Sequence, residues 1–256
     1  MSQVNPKVQI IGIVGIPIIQ PDDDLGKIIC GAAEKQGSPI QDYDILVVAQ
    51  KIVSKAEGRV FRLKDITPSP FARNVARTTC KEPELVELIL RESKSIVRLI
   101  GGHLITETKQ GWVCANSGVD KSNISGGDSV SLLPIDSDES ASRIRKRIKD
   151  LSGSEIAVII SDTSGRPWRI GHIDLAIGSS GMEATLDLRG KKDLFNYVLK
   201  VKKTAIIDEL ASAAELVIGN AAEKISVAII RGYKYPLSET AKATDLIMPK
   251  ENNLFP

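Results

Sequence analysis

One apolar stretch of the chain leads directly into a polar and basic segment. Residues 156–160 are Ile-Ala-Val-Ile-Ile, and a serine, Asp162, Thr163 and a glycine-containing segment with two arginines follow. We expect a buried strand that ends at Asp162 and Thr163 and opens into a loop. A carboxylate and a hydroxyl can bind a divalent cation, while Arg166 and Arg169 suit phosphate or carboxylate oxygens. A β-turn in which Asp162 and Thr163 bond their own backbone explains these residues equally well.

The composition excludes several classes of protein. With 42% hydrophobic residues, a net charge of +2 and 4% aromatic residues, the chain is typical of a globular protein, and nothing in it favours nucleic-acid binding. Cys30, Cys80 and Cys114 form no CxxC pair, which argues against a disulfide framework and a zinc site. No apolar run approaches the roughly 20 residues of a membrane span, and we read no signal peptide. We expect a cytoplasmic location.

Strand and helix patterns are mixed along the whole chain. Apolar runs predict strands at residues 8–14, 44–50, 104–108, 112–115, 130–133, 156–160, 173–178, 197–202 and 226–231. Helical spacing predicts five helices. One begins near residues 22–24, two lie within 69–91, and the other two span 140–151 and 205–218. The run at 44–50 has no polar residue inside it, which is typical of a strand buried on both faces. This order favours an α/β fold of mixed α+β character with a mixed, largely antiparallel sheet.

Complementary polar side chains follow three of these strands. They are Lys51 and Lys55, then Asp120 and Asn123, and then Asp162 and Thr163. Strand ends are where α/β proteins place ligands. If Asp120 and Asp162 come together, their repulsion calls for a cation, and Mg²⁺ or Mn²⁺ with phosphate oxygens fits that need. Taken one at a time, the lysines also fit a solvated helix face and Asp120 with Asn123 an Asx turn or helix cap.

Two common kinds of site are poorly supported. His103 and His172 are the only histidines and stand in unrelated contexts, which disfavours a histidine metal site or a Ser-His triad. The sequence has neither GxxxxGK[ST] nor a GxGxxG after a strand, so we expect neither a P-loop nor a Rossmann fold.

Several motifs, in one order along nearly the whole chain, resemble the coenzyme F420-0:L-glutamate ligase family. The matching segments are residues 15–19, 44–58, 116–123, 161–171, 176–178, 189–195 and 208–211. The resemblance implies a single γ-glutamyl ligase unit over residues 8–250, a two-lobed fold and an intertwined homodimer. It also implies an enzyme of F420 biosynthesis that uses GTP to activate the terminal carboxylate of coenzyme F420-0 as an acyl phosphate and joins L-glutamate to it, with further γ-linked glutamates as an extension.

The same resemblance assigns roles to residues of this chain. It implies catalytic roles for Lys55, Asp120 and Asp162, metal ligands at Asp120, Asp162, Thr163 and Asn220, and leaves K⁺ open as a monovalent cofactor. It implies that GTP contacts Ile16, Pro17, Ile18, Ile19, Gln50, Lys51, Lys55, Asn123, Ile218, Gly219, Asn220, Ala221, Ala222, Glu223, Lys224 and Ile225. Arg166 and Arg169 are candidates for holding a substrate anion. At Asn220 relatives often have an acidic residue or Gln, and Glu223 could supply the charge instead. Two alternatives stay open, a ligase for another carboxylate or amine and a nucleotide-binding protein without turnover.

Overall fold

A six-stranded mixed sheet forms the centre of the protein. The computed structural model describes residues 6–124 and 127–253. The strands are β1 (Gln9–Gly12), β2 (Ile45–Ala49), β3 (Val60–Arg62), β4 (Ser93–Ile100), β5 (His103–Thr108), β6 (Val113–Ala115), β7 (Ser129–Ser131), β8 (Ala157–Arg166), β9 (Arg169–Met182), β10 (Leu186–Asp187), β11 (Lys203–Thr204), β12 (Val227–Arg231) and β13 (Leu237–Ser238). The helices are α1 (Leu25–Lys35), α2 (Gln50–Ala56), α3 (Pro70–Thr79), α4 (Pro83–Glu92), α5 (Ser137–Ser152) and α6 (Ile206–Ile218).

The central sheet has the order β1-β12-β2-β8-β9-β13. Strands β2 and β8 are parallel, and the other neighbours in this sheet pair antiparallel. Smaller sheets pair β3 with β7, β10 with β11, and β4, β5 and β6 in that order. The predicted mixed and largely antiparallel α/β fold is therefore confirmed.

The apolar runs at the centre of the sheet are unbroken by polar residues because both faces of the sheet are covered. Successive side chains of a strand point to opposite faces, and in β2 the residues Leu46 and Val48 belong to one core while Ile45 and Val47 belong to the other. Helices α1 and α5 cover the first face, and α6 covers the second. This arrangement fixes the ends of β2 and β8 relative to each other.

A third core lies beside the central sheet. It is formed by α3, α4 and residues near β5 and β7, with Val86, Ile89, Leu104 and Val130 fully buried. The single unit over residues 8–250 and its two-lobed architecture stay predictions. Within the described residues, no helix has the length and apolar character that crossing a bilayer requires.

Two local predictions were wrong. Residues 161–166 are not a loop, because β8 continues through them and pairs with β9 as far as Arg166, with irregular register at Ser161. Residues 197–202 are not a strand. Val198 makes one isolated bridge to Lys192, while the Asp193 carboxylate accepts the amides of Phe195 and Tyr197 and thereby stabilises a turn.

Candidate active site

A cleft of about 820 Å³ opens where the parallel pairing of β2 with β8 ends. Ala49 of β2 pairs with Ser161 of β8, so the residues that follow Ala49 meet those that follow Ser161 at one edge of the sheet. The cleft is lined by every residue predicted to contact GTP or metal: Ile16, Pro17, Ile18, Ile19, Gln50, Lys51, Lys55, Asp120, Asn123, Asp162, Thr163, Ile218, Gly219, Asn220, Ala221, Ala222, Glu223, Lys224 and Ile225. Segments that are distant in sequence thus form one concave surface.

Lys51 and Asp120 form an ion pair on one wall of the cleft. The Lys51 Nζ lies 2.8 Å from Asp120 Oδ2 and donates to Ser122 Oγ at 2.7 Å. The Ser122 amide donates to Asp120 Oδ1 at 2.8 Å, and two backbone hydrogen bonds with Ser131 hold Asp120 in place. Burial alone raises the pKa of Asp120, but the hydrogen bonds from Lys51 and Ser122 hold it below its usual value. Asp120 is therefore a carboxylate at neutral pH.

Lys55 follows Lys51 by one helical turn on α2 and adds a second positive charge. Its Nζ donates to the backbone carbonyl of Asn123 at 3.0 Å, and Asn123 has a positive φ of 53°. Burial and the nearby charge of Lys51 lower the pKa of Lys55. Gln50 lines the same wall, but its side-chain amide donates inward to Ser54.

Asp162 lines the same cleft and lies in the middle of β8. Burial raises its pKa to about 7, the negative charges of Asp174 and Asp120 add to this effect, and the Thr163 amide opposes it. A carboxyl with such a pKa takes up a proton readily when no cation is present. The charge of Asp162 therefore calls for a positive partner in the cleft.

Thr163 and Asn220 meet beside Asp162. The Thr163 hydroxyl lies 2.8 Å from Asp174 Oδ1 and 3.1 Å from Asn220 Oδ1. Asp174, which is 4% exposed, also accepts the Ser161 hydroxyl at 2.9 Å. The pKa of Asp174 is raised, chiefly by burial. Three strand and loop segments thus present oxygen atoms to the same corner.

The turn that carries Asn220 depends on Gly219. Helix α6 ends at Ile218, and Gly219 then has a φ of 70°. Residues with a Cβ rarely adopt this backbone conformation, and a Cβ on Gly219 would also lie 2.4 Å from the Glu223 carboxyl carbon, which would have to move. The Glu223 carboxylate accepts a hydrogen bond from the Ala221 amide at 2.8 Å and thereby stabilises the turn.

Comparison with known proteins identifies one family. The family model described as F420-0:Gamma-glutamyl ligase matches residues 13–232, which is most of the chain. The chain belongs to this family. The coenzyme F420:L-glutamate ligase of Methanocaldococcus jannaschii is 46% identical over 257 residues, covering 100% of this chain and 99% of that protein. Proteins of the same name are 41% identical in Methanothermobacter thermautotrophicus, over 97% of this chain and 98% of the relative, and 44% in Methanopyrus kandleri, over 93% of each.

In this member of the F420-0:gamma-glutamyl ligase family, the two candidate anion-binding arginines lie apart from the cleft lining. Arg166 and Arg169 end β8 and begin β9 at the tip of the hairpin, and an Arg166 guanidinium nitrogen donates to the Ile170 carbonyl at 3.4 Å. Their role in binding a substrate anion stays a prediction.

Sequence reasoning missed several residues that line or support the cleft. Asp174 and His172 of β9 both line it, and Glu215 of α6 accepts the Asp174 amide at 2.9 Å. A signal for Asp174 exists, since it is the one carboxylate in a strand that pairs with β8. No sequence signal points to Glu215, because its contact with Asp174 depends on how α6 packs against β9.

The donor set of the cleft fits a hard divalent cation. Asp120, Asp162, Thr163 and Asn220 supply carboxylate, hydroxyl and amide oxygens, which are the ligands that Mg²⁺ and Mn²⁺ prefer. In residues 6–124 and 127–253, no three Asp, Glu, His or Cys side chains converge on one point. This suits cations held by one or two carboxylates, with phosphate oxygens and water completing the shell.

Proposed function

We propose that this protein joins L-glutamate to coenzyme F420-0 through an amide bond, in a reaction that consumes GTP. The family membership supports the ligase reaction, and relatives named coenzyme F420:L-glutamate ligase match over nearly the full length of both chains. The single observation that carries the nucleotide assignment is the cleft of about 820 Å³. It brings two lysines and the carboxylates Asp120 and Asp162 to one place without a P-loop.

The cleft suits a nucleotide triphosphate because it joins apolar and charged walls. Residues 16–19 provide an apolar side, with Ile18 78% exposed. Lys51 and Lys55 provide positive charge for phosphate oxygens. Because Lys51 also holds Asp120 in its charged form, the same lysine links the phosphate side of the cleft to a metal ligand.

Divalent cations would be held by Asp120 and Asp162 at one position and by Thr163 and Asn220 at a second. Such cations, when bound, offset the charge of phosphate oxygens during phosphoryl transfer. The raised pKa of Asp162 supports this assignment, since crowded carboxylates are tolerated best beside a cation.

The reaction needs no nucleophile from the protein. A carboxylate oxygen of F420-0 attacks the γ-phosphorus of GTP, the bond to the β-phosphate oxygen breaks, and GDP leaves. The amine of glutamate then attacks the acyl phosphate carbon, loses a proton, and expels inorganic phosphate. In this scheme Lys55 binds the phosphoryl oxygens, and its lowered pKa reflects a partly desolvated ammonium group.

A homodimer and a cytoplasmic location belong to the same proposal. Ile170, Leu194, Phe195 and Val201 are each at least 88% exposed, and an interface between subunits would remove these large apolar side chains from water. Sedimentation at micromolar concentration measures the oligomeric state, and a monomer there would contradict the dimer.

The test of the proposal is a product assay with omissions. Purified protein is incubated with F420-0, L-glutamate, GTP and Mn²⁺, and mass spectrometry looks for the addition of one or more glutamyl units. We expect product only when all four are present, with GDP released in equal amount. A separate arm of the assay replaces GTP with ATP. No product and no GDP would contradict the proposal, and a product from another acid or amine would favour the alternative ligase. GTP binding without GDP release would favour a non-catalytic relative.

A further inference from the structure

Asn220 is an unusual cation ligand because its side chain is neutral and has two different ends. An amide oxygen can bind a cation, whereas an amide NH₂ group repels one. Which end faces the cleft therefore decides whether Asn220 can act as a ligand at all.

Glu215 fixes the orientation of Asn220. The Asn220 amide nitrogen donates to Glu215 Oε1, and a carboxylate can accept only from that end of an amide. The amide oxygen is consequently directed to Thr163, 3.1 Å away. Glu215 is itself held by the Asp174 amide, which donates to its second oxygen at 2.9 Å.

Asp174 fixes the proton of Thr163 in the same way. The Thr163 hydroxyl has one proton and two neighbouring acceptors, Asp174 Oδ1 at 2.8 Å and Asn220 Oδ1 at 3.1 Å. A carboxylate is the stronger acceptor and is also the nearer one, so the proton is directed to Asp174. The Thr163 and Asn220 oxygens then face each other with free lone pairs. Adjacent ligands of an octahedral Mg²⁺ at 2.0–2.1 Å are about 3 Å apart, which matches this spacing.

We propose that Glu215 and Asp174 are positioning residues that turn the oxygens of Asn220 and Thr163 toward one divalent cation. Hydrogen bonds link the Asp174 amide through Glu215 to the Asn220 nitrogen, and the Thr163 hydroxyl to the Asp174 carboxylate. The Asn220 and Thr163 oxygens, 3.1 Å apart, are left facing the proposed cation. Two negative charges behind the ligands compensate for the missing charge of Asn220. The inference rests on the second cation position of the proposed function and deepens it.

Glu215→Gln tests whether Glu215 orients Asn220, with little change in side-chain size. A glutamine there can still accept the Asp174 amide through its oxygen, but its NH₂ group then faces Asn220. Asn220 must turn its oxygen to Gln and its nitrogen to Thr163, which removes the ligand. Substitution of such supporting groups lowers metal affinity about 10- to 100-fold, and we expect this loss for one of two bound Mn²⁺ ions.

A second substitution separates positioning from a general loss of structure. Asn220→Asp in the Glu215→Gln background places a carboxylate, whose two ends are alike, beside the glutamine. One oxygen accepts from Gln and the other faces Thr163, so we expect the double variant to regain most of the lost affinity. A variant damaged only in its folding would not recover. Glu209→Gln, an exposed position on the same helix, is the matched control and should bind as the unaltered protein does.

The measurement is a titration of the full-length protein with Mn²⁺, with and without GDP. Calorimetry and the electron paramagnetic resonance signal of free Mn²⁺ report how many ions bind and how tightly. We expect two ions for the unaltered protein, one tight and one weak ion for Glu215→Gln, and two again for the double variant. Equal binding by Glu215→Gln and the unaltered protein, equal weakening of both ions, failure of the double variant to recover, or fewer than two ions on the unaltered protein would each overturn the proposal. Two bound ions without ligase activity would contradict the proposed function and leave this inference standing.

Discussion

Replacing Asp162 with asparagine should abolish turnover and yet stabilise the metal-free protein at neutral and alkaline pH. Asparagine has nearly the same shape as aspartate but carries no charge. In the folded protein the Asp162 pKa is raised from 3.8 to about 7, because the carboxyl is buried and faces Asp174 and Asp120. The charged form is therefore disfavoured by folding, and the substitution removes that penalty.

The magnitude follows from the shift in pKa. One pKa unit corresponds to about 1.4 kcal/mol, so a change from 3.8 to about 7 gives an upper value of roughly 4 kcal/mol. The side chain keeps some contact with water in the cleft, which reduces the penalty to roughly 2 kcal/mol. For a protein of this size, 2 kcal/mol raises the midpoint of thermal unfolding by about 4–8 °C.

The size of this stabilisation depends on pH. Below about pH 4 the carboxyl is protonated in both the folded and the unfolded chain, and the substitution has no effect through this group. Between pH 4 and 7 the unfolded chain loses its proton first, so the unaltered protein loses stability as the pH rises. Above pH 7 both states are ionised and the difference is constant. The advantage of Asp162→Asn should therefore grow from pH 4 to 7 and then level off.

Thermal and urea unfolding in EDTA at pH 4, 6 and 8 measure this advantage, with the exposed Asp150→Asn as the matched control. Adding Mn²⁺ should stabilise the unaltered protein more than Asp162→Asn, because the variant keeps only the cation position at Thr163 and Asn220. An equal gain at pH 4 and pH 8, or a loss of stability at pH 8, would refute the reasoning from charge.

Four further outcomes follow from the described contacts. Asp44→Asn should cost about 3 kcal/mol of unfolding free energy, because the carboxylate is 1% exposed and accepts two hydrogen bonds from Arg231, whose side chain keeps some contact with water. Urea unfolding with Asp150→Asn as the control measures this cost, and a cost near zero would contradict the prediction. Gly178→Ala should cost about 3 kcal/mol of unfolding free energy or prevent folding, because a Cβ would lie 2.2 Å from a backbone oxygen of α5. Gly31→Ala in α1, where a Cβ would meet no atom within 4 Å, should instead stabilise the protein by about 0.5–1 kcal/mol in the same assay. Lys55→Met should lower kcat on the order of a hundredfold with little change in thermal unfolding, and steady-state GDP release within about threefold of the unaltered rate would contradict its catalytic role.

Local sequence patterns predicted the strands and helices around the cleft better than the contacts between them. The apolar runs of β2 and β8 and the helical spacing of α1 and α6 depend on neighbouring residues. Each of these elements begins within a few residues of its expected start, although β8 runs on to Arg166. The segments that line the cleft were found because several motifs occur together in one order. The homodimer, GTP and the cations stay predictions, because no bound partner tests them.

The errors arose where contacts between distant residues override local signals. Residues 161–166 have the glycine and polar residues of a loop, but β9 supplies hydrogen-bonding partners along their whole length. The pairing of Thr163 with Asp174 depends on the irregular register at Ser161, which a sequence does not reveal. Glu215 enters the site only because α6 packs on β9.

The position of β12 has a consequence for how the chain acquires its structure. This strand lies between β1 and β2, although roughly 180 residues separate it from β2 in the sequence. During synthesis β1 and β2 therefore emerge from the ribosome long before the strand that joins them, and their edges stay open until then. Long-range pairing of this kind makes folding slow. The cleft at the end of the β2–β8 pairing is thus completed late, so nascent chains that end before residue 227 should be unable to hold a nucleotide and should depend on chaperones.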